Sequence, residues 1–190
     1  MRSLMDVPPQ KQYDLIVADP PWRYRDSATR GAAQHHYPTM SLPDLQSLIV
    51  PVKEEALLLL WATGPLLDDA IALMHAWGFA YVSVLFVWLK TTKSGTPRTG
   101  MGHYTRSNCE FVLLGRRGNR GLTHWVRNHA VPQLIKAEPR EHSRKPDEFF
   151  VALDALLTTN TLDKLEMFAR EKRPGWDAWG DEINRFPRLA

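Results

Sequence analysis

Two short, almost entirely apolar runs constrain the fold of this 190-residue chain more than any other feature. They are residues 13–18 (YDLIVA) and residues 56–62 (ALLLLWA), and neither shows a regular alternation with polar positions. Runs of this kind are typical of strands that are covered on both faces, as in a parallel sheet. Pro20 and Pro21 end the first run, because proline has no N–H to donate to a sheet.

Helix and strand patterns alternate along the rest of the chain. Ser41 with Asp44 makes a capping-box pattern before a helix at about residues 42–49. Apolar spacing predicts two further helices, near residues 67–77 and 146–157. Further strands are expected at residues 81–89, 110–114, 133–137, 164–168 and 177–179. This alternation predicts an α/β fold around a mostly parallel sheet, in which ligands bind beyond the carboxyl ends of the strands.

Composition limits the function classes. With 44% hydrophobic and 24% charged residues, residues 1–190 are expected to form a single domain. The one cysteine excludes a disulfide framework, and His35 and His36 lack a third ligand at workable spacing, so no metal is expected. The absence of a signal-peptide pattern and of an apolar run of ~18 residues predicts a cytoplasmic protein with no membrane partner. The net charge of +3 is compatible with a nucleic-acid partner.

The tetrapeptide Asp19-Pro20-Pro21-Trp22 is the strongest candidate for chemistry. A carboxylate follows the predicted strand and neither proline has an N–H, so the turn offers hydrogen-bond acceptors beside an aromatic ring. Such acceptors suit a planar ligand with an amino group, such as adenine, whose ring stacks on Trp22. A strand-terminating turn with a surface tryptophan is the alternative interpretation.

Segments in the order of one known family occur along residues 13–183. They are YDLIVADPPW at 13–22, HYPTMS at 36–41, LLWATG at 59–64, WGF at 77–79, FVWLK at 86–90, HSRKPDE at 142–148, LEMFAR at 165–170 and GWDAWG at 175–180. Together they resemble the family of the seventy-kilodalton subunit of messenger-RNA adenosine methyltransferase and its bacterial and phage relatives, which are N6-adenine methyltransferases with a D-P-P-W motif. Each segment alone is a weak signal, whereas the ordered set is specific.

The resemblance implies a Rossmann-like, S-adenosylmethionine-dependent methyltransferase fold with helices on both faces of the sheet and a permuted motif order. The catalytic turn at Asp19 then precedes the strand of the cofactor loop, which ends near Phe168. A methyl group would pass from S-adenosyl-L-methionine to N6 of an adenine that is flipped out of a duplex or already single-stranded. The core would cover about residues 13–183, which leaves no separate target-recognition domain.

The resemblance also implies roles for single residues. The catalytic set is Asp19, Pro20, Pro21 and Trp22, in which Asp19 and the Pro20 carbonyl accept from the N6 amino group. Cofactor binding is expected of Asp19, Lys145, Arg170, Asp181 and Glu182. Substrate binding is expected of Trp22, Tyr37, Ser143 and Lys145. Asp181 departs from the asparagine usual in the family, and its carboxylate can accept from ribose hydroxyls but cannot donate.

Basic residues in or beside the predicted loops are candidates for phosphate contacts. They are Lys90, Lys93, Arg98, Arg106, Arg116, Arg117 and Arg120. A solvated surface position explains any one of them equally well.

The sequence therefore predicts an enzyme that methylates N6 of adenine in nucleic acid, with DNA favoured over RNA. One alternative is a catalytically silent nucleic-acid-binding subunit of the same fold. Another is a methyltransferase for a different amide or amine, such as protein glutamine or cytosine N4, although those families more often have Asn or Ser in place of Asp19 and Tyr in place of Trp22. A homodimer or a partner subunit stays open.

Overall fold

A computed structural model describes residues 10–23, 39–100, 102, 104–118, 122–141 and 144–183. The strands in chain order are β1 (Tyr13–Ala18), β2 (Val52–Ala62), β3 (Ala80–Lys90), β4 (Cys109–Arg117), β5 (Leu134–Ala137), β6 (Lys164–Met167) and β7 (Asp177–Trp179). They form one seven-stranded sheet with the order β5-β3-β4-β2-β1-β6-β7. Strand β1 therefore lies inside the sheet, between β2 and β6.

The sheet is mostly parallel, as the sequence predicts. Leu15 of β1 is in register with Leu57 of β2 on one side and with Lys164 of β6 on the other, and both pairings are parallel. Strand β4 runs antiparallel to its neighbours β2 and β3. No described helix lies between β3 and β4, and strands joined without a crossover helix return antiparallel. The carboxyl ends of β1, β2, β3 and β6 consequently share one edge of the sheet.

Helices cover both faces of the sheet. They are α1 (Leu42–Gln46), α2 (Leu67–Ala76) and α3 (Asp147–Leu156). The capping box before α1 is confirmed: the Asp44 N–H donates to Ser41 Oγ, and the Ser41 N–H donates to Asp44 Oδ2, each over 3.3 Å. Helix α1 ends at Gln46, earlier than the predicted residue 49. No helix within the described ranges is long and apolar enough to cross a membrane.

The two apolar runs supply both halves of the core. Ile16 and Leu58 are fully buried on the face covered by α1 and α2, whereas Leu15 and Leu59 are fully buried on the face covered by α3. Each such side chain stabilises the fold by about 1.5–3 kcal/mol. Alternate residues of the same strand thus serve opposite faces, which explains why β1 and β2 have no polar face.

Charged side chains gather at the amino end of β1, on the edge opposite the carboxyl ends of the parallel strands. The Lys53 ammonium lies 2.8 Å from Asp14 Oδ2 and 2.7 Å from Asp163 Oδ2. The Lys11 ammonium lies 2.8 Å from Asp163 Oδ1 and 3.2 Å from Asp177 Oδ2. We call these five residues the amino-edge cluster. They tie β1, β2, β6 and β7 together at the surface.

Candidate active site

A second group of charges lies at the carboxyl end of β1. The Lys145 ammonium lies 2.9 Å from Asp19 Oδ1 and 3.0 Å from Glu110 Oε2. The Lys90 ammonium lies 2.6 Å from Glu110 Oε1. We call these four residues the carboxyl-edge cluster. Because positive and negative groups alternate along it, its net charge is zero when all four are ionised.

Separate elements bring the carboxyl-edge cluster together. Asp19 directly follows β1, Glu110 lies in β4, Lys90 ends β3, and Lys145 precedes the first turn of α3. Two indole rings support the ammonium groups: Lys145 Nζ lies 5.2 Å from the Trp61 ring centroid, and Lys90 Nζ lies 5.1 Å from that of Trp88. Cation–π contacts of this length help to hold a lysine that has left water.

Burial and charge act in opposition on the ionisation of this cluster. Burial raises the pKa of Asp19 above its ordinary value, the Glu110 carboxylate adds to this, and Lys145 opposes it. Burial also disfavours the charge of Glu110, but Lys145 and Lys90 together lower the pKa of Glu110 to about 2. Burial disfavours the Lys145 ammonium as well, yet Asp19 and Glu110 raise the pKa of Lys145. Asp19 is thus the member of the cluster that gains a proton most readily.

The D-P-P-W turn is fixed by its own backbone and by β2. The Trp22 N–H donates to the Pro20 carbonyl over 2.8 Å, and the Met40 N–H donates to the Pro21 carbonyl over 2.8 Å. The Trp22 indole N–H donates to the Trp61 carbonyl over 3.1 Å. Trp22 is only 7% exposed and belongs to the core, so the alternative of a surface tryptophan is wrong. Each proline carbonyl keeps one lone pair for a ligand.

An open pocket lies beyond the carboxyl ends of β1 and β6. Charged and aromatic side chains line it, among them Asp19, Trp61, Lys145, Glu166, Phe168 and Arg170. Position and lining agree with the rule that ligands bind beyond the carboxyl ends of parallel strands.

A buried arginine fixes one wall of this pocket. Arg173 is ion-paired with Glu171, with Glu166 over 3.2 Å and with Asp147 over 3.1 Å. Its guanidinium carbon lies 3.7 Å from the ring centroid of Phe150. Burial raises the pKa of Glu166 to about 7, although Arg173 opposes the shift. Glu166 therefore changes its charge near neutral pH while facing the pocket.

The loop after β6 closes against the segment after β7. The Ala169 N–H donates to the Trp179 carbonyl over 3.0 Å, and Arg170 Nε lies 3.2 Å from Glu182 Oε2. A Cβ at Gly180 would lie 2.6 Å from both the backbone nitrogen and the carbonyl oxygen of Ala169. Only glycine allows this approach, which brings Arg170 and Glu182 together.

The structure places the site residues expected from the sequence as follows. Asp19, Lys145 and Arg170 line the pocket. Asp19 contacts Lys145, and Arg170 contacts Glu182. Asp181 lies beside Glu182, on the exposed side of that segment. The candidates outside the described residues are Tyr37, Ser143, His35, His36 and Arg120. Among the described residues, no group of three or more His, Cys, Asp or Glu side chains is arranged to hold a metal ion.

Sequence reasoning missed Glu110 and Glu166 as parts of the site. Glu166 lies within the LEMFAR segment, so the pattern contained it without distinguishing it from its neighbours. Nothing in the local sequence marks Glu110, because its importance comes from contacts with Lys90 and Lys145, 20 and 35 positions away.

The family comparison agrees with this architecture. The model of the MT-A70 family matches residues 13–182, from the start of β1 to the pair of Arg170 with Glu182. The chain belongs to the MT-A70 family. The match includes both the D-P-P-W turn and the loop after β6, so the two sides of the pocket lie within the family's common domain.

Relatives of this MT-A70 protein differ in length. The type II methyltransferase M.MunI of a Mycoplasma species is 36% identical over 92% of this chain and 79% of its own length. The probable N(6)-adenosine-methyltransferase MT-A70-like protein of Oryza sativa subsp. japonica is 32% identical over 91% of this chain but only 23% of its own length. The N6-methyladenosine RNA methyltransferase MTA1 of Cryphonectria parasitica is 32% identical over 92% of this chain and 52% of its own length. The chain thus spans most of the length of M.MunI, about a quarter of the rice protein and about half of the fungal protein.

Proposed function

We propose that this MT-A70 protein transfers a methyl group from S-adenosyl-L-methionine to N6 of adenine in nucleic acid. The observation that carries the proposal is the Asp19 carboxylate, which stands at the end of β1, on the pocket, with Lys145 2.9 Å away. A carboxylate beside a free carbonyl lone pair suits an exocyclic amine, which has two N–H groups to donate.

The pocket fits the cofactor by its chemistry. S-adenosyl-L-methionine carries an ammonium, a carboxylate, a positively charged sulfonium and a ribose. In the pocket, Asp19 and Glu166 suit the ammonium and Lys145 suits the carboxylate. Asp181 and Glu182 do not line the pocket, but Glu182 contacts Arg170 of its lining, and both carboxylates offer acceptors for the ribose hydroxyls. When bound, the cofactor supplies an electrophilic methyl group.

The residues of this chain act by positioning and electrostatics. Asp19 and the Pro20 carbonyl accept the two N–H groups of the amine, which turns its lone pair away from the ring and makes it the nucleophile. Lys145 holds Asp19 in place, and Glu110 holds Lys145. Because burial raises the pKa of Asp19, this carboxylate is also suited to receive the proton that the methylated amine releases.

Within nucleic acid we favour DNA as the substrate. The chain matches a compact type II methyltransferase over most of that relative's length, and it spans only about a quarter of the rice adenosine methyltransferase. RNA is the second candidate, because the fungal relative is named an RNA methyltransferase at similar identity. The cytoplasmic location and the homodimer or partner subunit stay predictions of the sequence.

Incubation with a labelled methyl donor and adenine-containing DNA or RNA tests the proposal. After digestion to nucleosides, we expect the label in N6-methyladenosine or its deoxy form, and its loss in Asp19→Ala. The control Asp163→Ala also removes an aspartate side chain, but at the opposite edge of the sheet, and should keep the activity. Full activity of Asp19→Ala, or label on cytosine or on protein, would refute the assignment.

A further inference from the structure

The segment between β3 and β4 forms a lobe at the edge of the sheet that carries Asp19. We call residues 91–107 the β3–β4 lobe; residues 91–100, 102 and 104–107 of it are described. Strand β3 is antiparallel to β4, and β4 is antiparallel to β2, which is parallel to β1. Strand β3 therefore runs in the same direction as β1. The lobe consequently leaves the sheet at the carboxyl edge, the same edge that carries Asp19 and the pocket.

The first half of the lobe is a hydrogen-bonded hairpin. The Thr92 N–H donates to the Thr96 carbonyl over 2.8 Å, and the Gly95 N–H donates to the Thr92 carbonyl over 2.9 Å. Thr91 pairs with Pro97 in an antiparallel bridge, and Gly95 takes a φ of 81°, which favours glycine. The tip is exposed and yet has a defined shape.

The root of this hairpin is joined to the carboxyl-edge cluster. The Arg98 N–H donates to the Lys90 carbonyl over 2.8 Å, and the Lys90 N–H donates to the Asn108 carbonyl over 2.9 Å. The side chain of the same Lys90 lies 2.6 Å from Glu110, which contacts Lys145. Both ends of the lobe are thus fixed relative to Asp19.

The outer surface of the lobe has the chemistry of a nucleic-acid contact. Lys93 and Arg98 are exposed, and within the described ranges no carboxylate forms an ion pair with either. Tyr104 is fully exposed, which is unusual for an aromatic side chain in a folded segment. Cations that track a phosphate backbone, together with an aromatic ring on which a base stacks, are the two parts of a single-strand binding surface.

We propose that the β3–β4 lobe grips the strand that carries the target adenine, with Lys93 and Arg98 on its phosphodiester groups and Tyr104 stacked on a neighbouring base. This inference rests on the proposed function. Arg116 and Arg117, also candidates from the sequence, lie at the far end of β4 and belong to the opposite edge of the sheet.

Charge removal tests the phosphate contacts. The variant Lys93→Gln/Arg98→Gln is compared with Arg116→Gln/Arg117→Gln, which removes the same charge from the opposite edge. Binding of fluorescent adenine-containing DNA and RNA strands is measured without methyl donor over a range of salt concentrations. In the lobe variant we expect affinity at 0.1 M salt to fall on the order of tenfold and the slope of log affinity against log salt to flatten by about 1.4 on single strands.

Tyr104 tests the stacking contact separately. Tyr104→Ala should weaken single-strand binding by roughly 5- to 100-fold with an unchanged salt slope, because stacking releases no counterions. Tyr104→Phe keeps the ring and should bind like the wild type. Thermal unfolding of all variants checks that the fold is retained. Lys93, Arg98 and Tyr104 are exposed, whereas Arg116 and Arg117 of the control variant are half-buried.

The outcomes separate the two proposals. Equal losses in the lobe variant and the opposite-edge variant, or no loss in the lobe variant, overturn the lobe assignment. Wild-type protein that binds neither DNA nor RNA also overturns it. If the lobe variants bind nucleic acid more weakly than the wild type but the wild type does not methylate adenine, the lobe assignment is supported and the proposed function is overturned. A difference in affinity between the DNA and RNA strands identifies which of them supplies the backbone.

Discussion

The two ends of β1 carry clusters of the same residue types in opposite surroundings. In the amino-edge cluster, four of the five side chains are 37–52% exposed and only that of Asp14 is lower, at 15%. In the carboxyl-edge cluster, all four side chains are less exposed than those four: Lys145 and Glu110 at 12% each, Asp19 at 22% and Lys90 at 31%. Exposed ion pairs contribute about 0–1 kcal/mol, whereas a buried pair costs desolvation that its attraction barely offsets. The amino-edge cluster therefore contributes little to stability, and the carboxyl-edge cluster is better explained by its position on the pocket than by stability.

The largest expected difference between the clusters is in stability. Lys145→Met leaves Asp19 and Glu110 as adjacent buried carboxylates, so we expect the free energy of unfolding to fall by about 3–5 kcal/mol at neutral pH. Lys53→Met, at the other end of β1, should cost less than about 1 kcal/mol. Chemical denaturation of both variants measures the contrast, and similar losses would contradict it.

The loss in Lys145→Met should also depend on pH. Without the ammonium, the folded-state pKa values of the two carboxyls rise above the unfolded ones. The folded protein then binds protons more tightly than the unfolded chain, so stability increases as the pH falls from about 8 towards about 5. If the free energy of unfolding of Lys145→Met stays below that of the wild type by the same amount over this pH range, the two carboxylates are not coupled.

Glu110→Gln is expected to reduce catalysis more than cofactor binding. Lys145 then keeps Asp19 as its one remaining carboxylate and is drawn towards it, which occupies the oxygen that we propose as the acceptor of the substrate amine. A displacement of this kind lowers the methylation rate by about 10- to 100-fold. Steady-state kinetics should show the change in kcat, while Asp177→Asn in the amino-edge cluster should leave kcat unchanged. A change in the KM for the methyl donor alone would argue against this role.

Cofactor affinity should depend on pH through Glu166. Its pKa of about 7 means that the pocket gains a negative charge between about pH 6 and pH 8, which favours a cationic ligand. Each unit by which binding lowers this pKa corresponds to a tenfold gain in affinity. Calorimetry with S-adenosyl-L-methionine across this range should show the gain in the wild type, and Glu166→Gln should remove it.

The smallest effect is expected at Asp163. Hydrogen bonds from Lys11 and Lys53 lower its pKa from 3.8 to about 2. The pKa of Asp163 is lower in the folded protein than in the unfolded chain. Its contribution to stability is therefore complete at a pH above its ordinary pKa and is lost as the pH falls towards 2. Asp163→Asn should lower the midpoint of thermal unfolding by about 2 °C or less near neutral pH. A large loss at neutral pH would mean that this cluster is not the weak one.

The sequence predicted the parts of the fold that local patterns encode. The apolar runs, the capping box at Ser41 and the short strands after residue 133 follow from periodicity and capping chemistry. Strand β2 begins at Val52, four residues before its apolar run, because Lys53 is held by Asp14 and Asp163. Contacts between distant residues of this kind leave no local trace.

The site was predictable to the same extent. Asp19, Lys145 and Arg170 were identified through motifs, and the structure brings all three to one pocket. Glu110 was not, since only the pairing of β3 with β4 places it between two lysines. The direction of β4 likewise depends on how the chain returns after β3, which periodicity does not report.

The pairing of β1 with β6 has a consequence for synthesis of the chain. The Asp163 N–H donates to Asp14 across 149 positions of sequence. At translation rates of about 5–20 residues per second, β6 is synthesised roughly 7–30 s after β1, so one edge of β1 stays unpaired for that time. The pocket between these strands forms only when β6 has left the ribosome. A nascent chain that ends before β6 therefore lacks one side of this pocket.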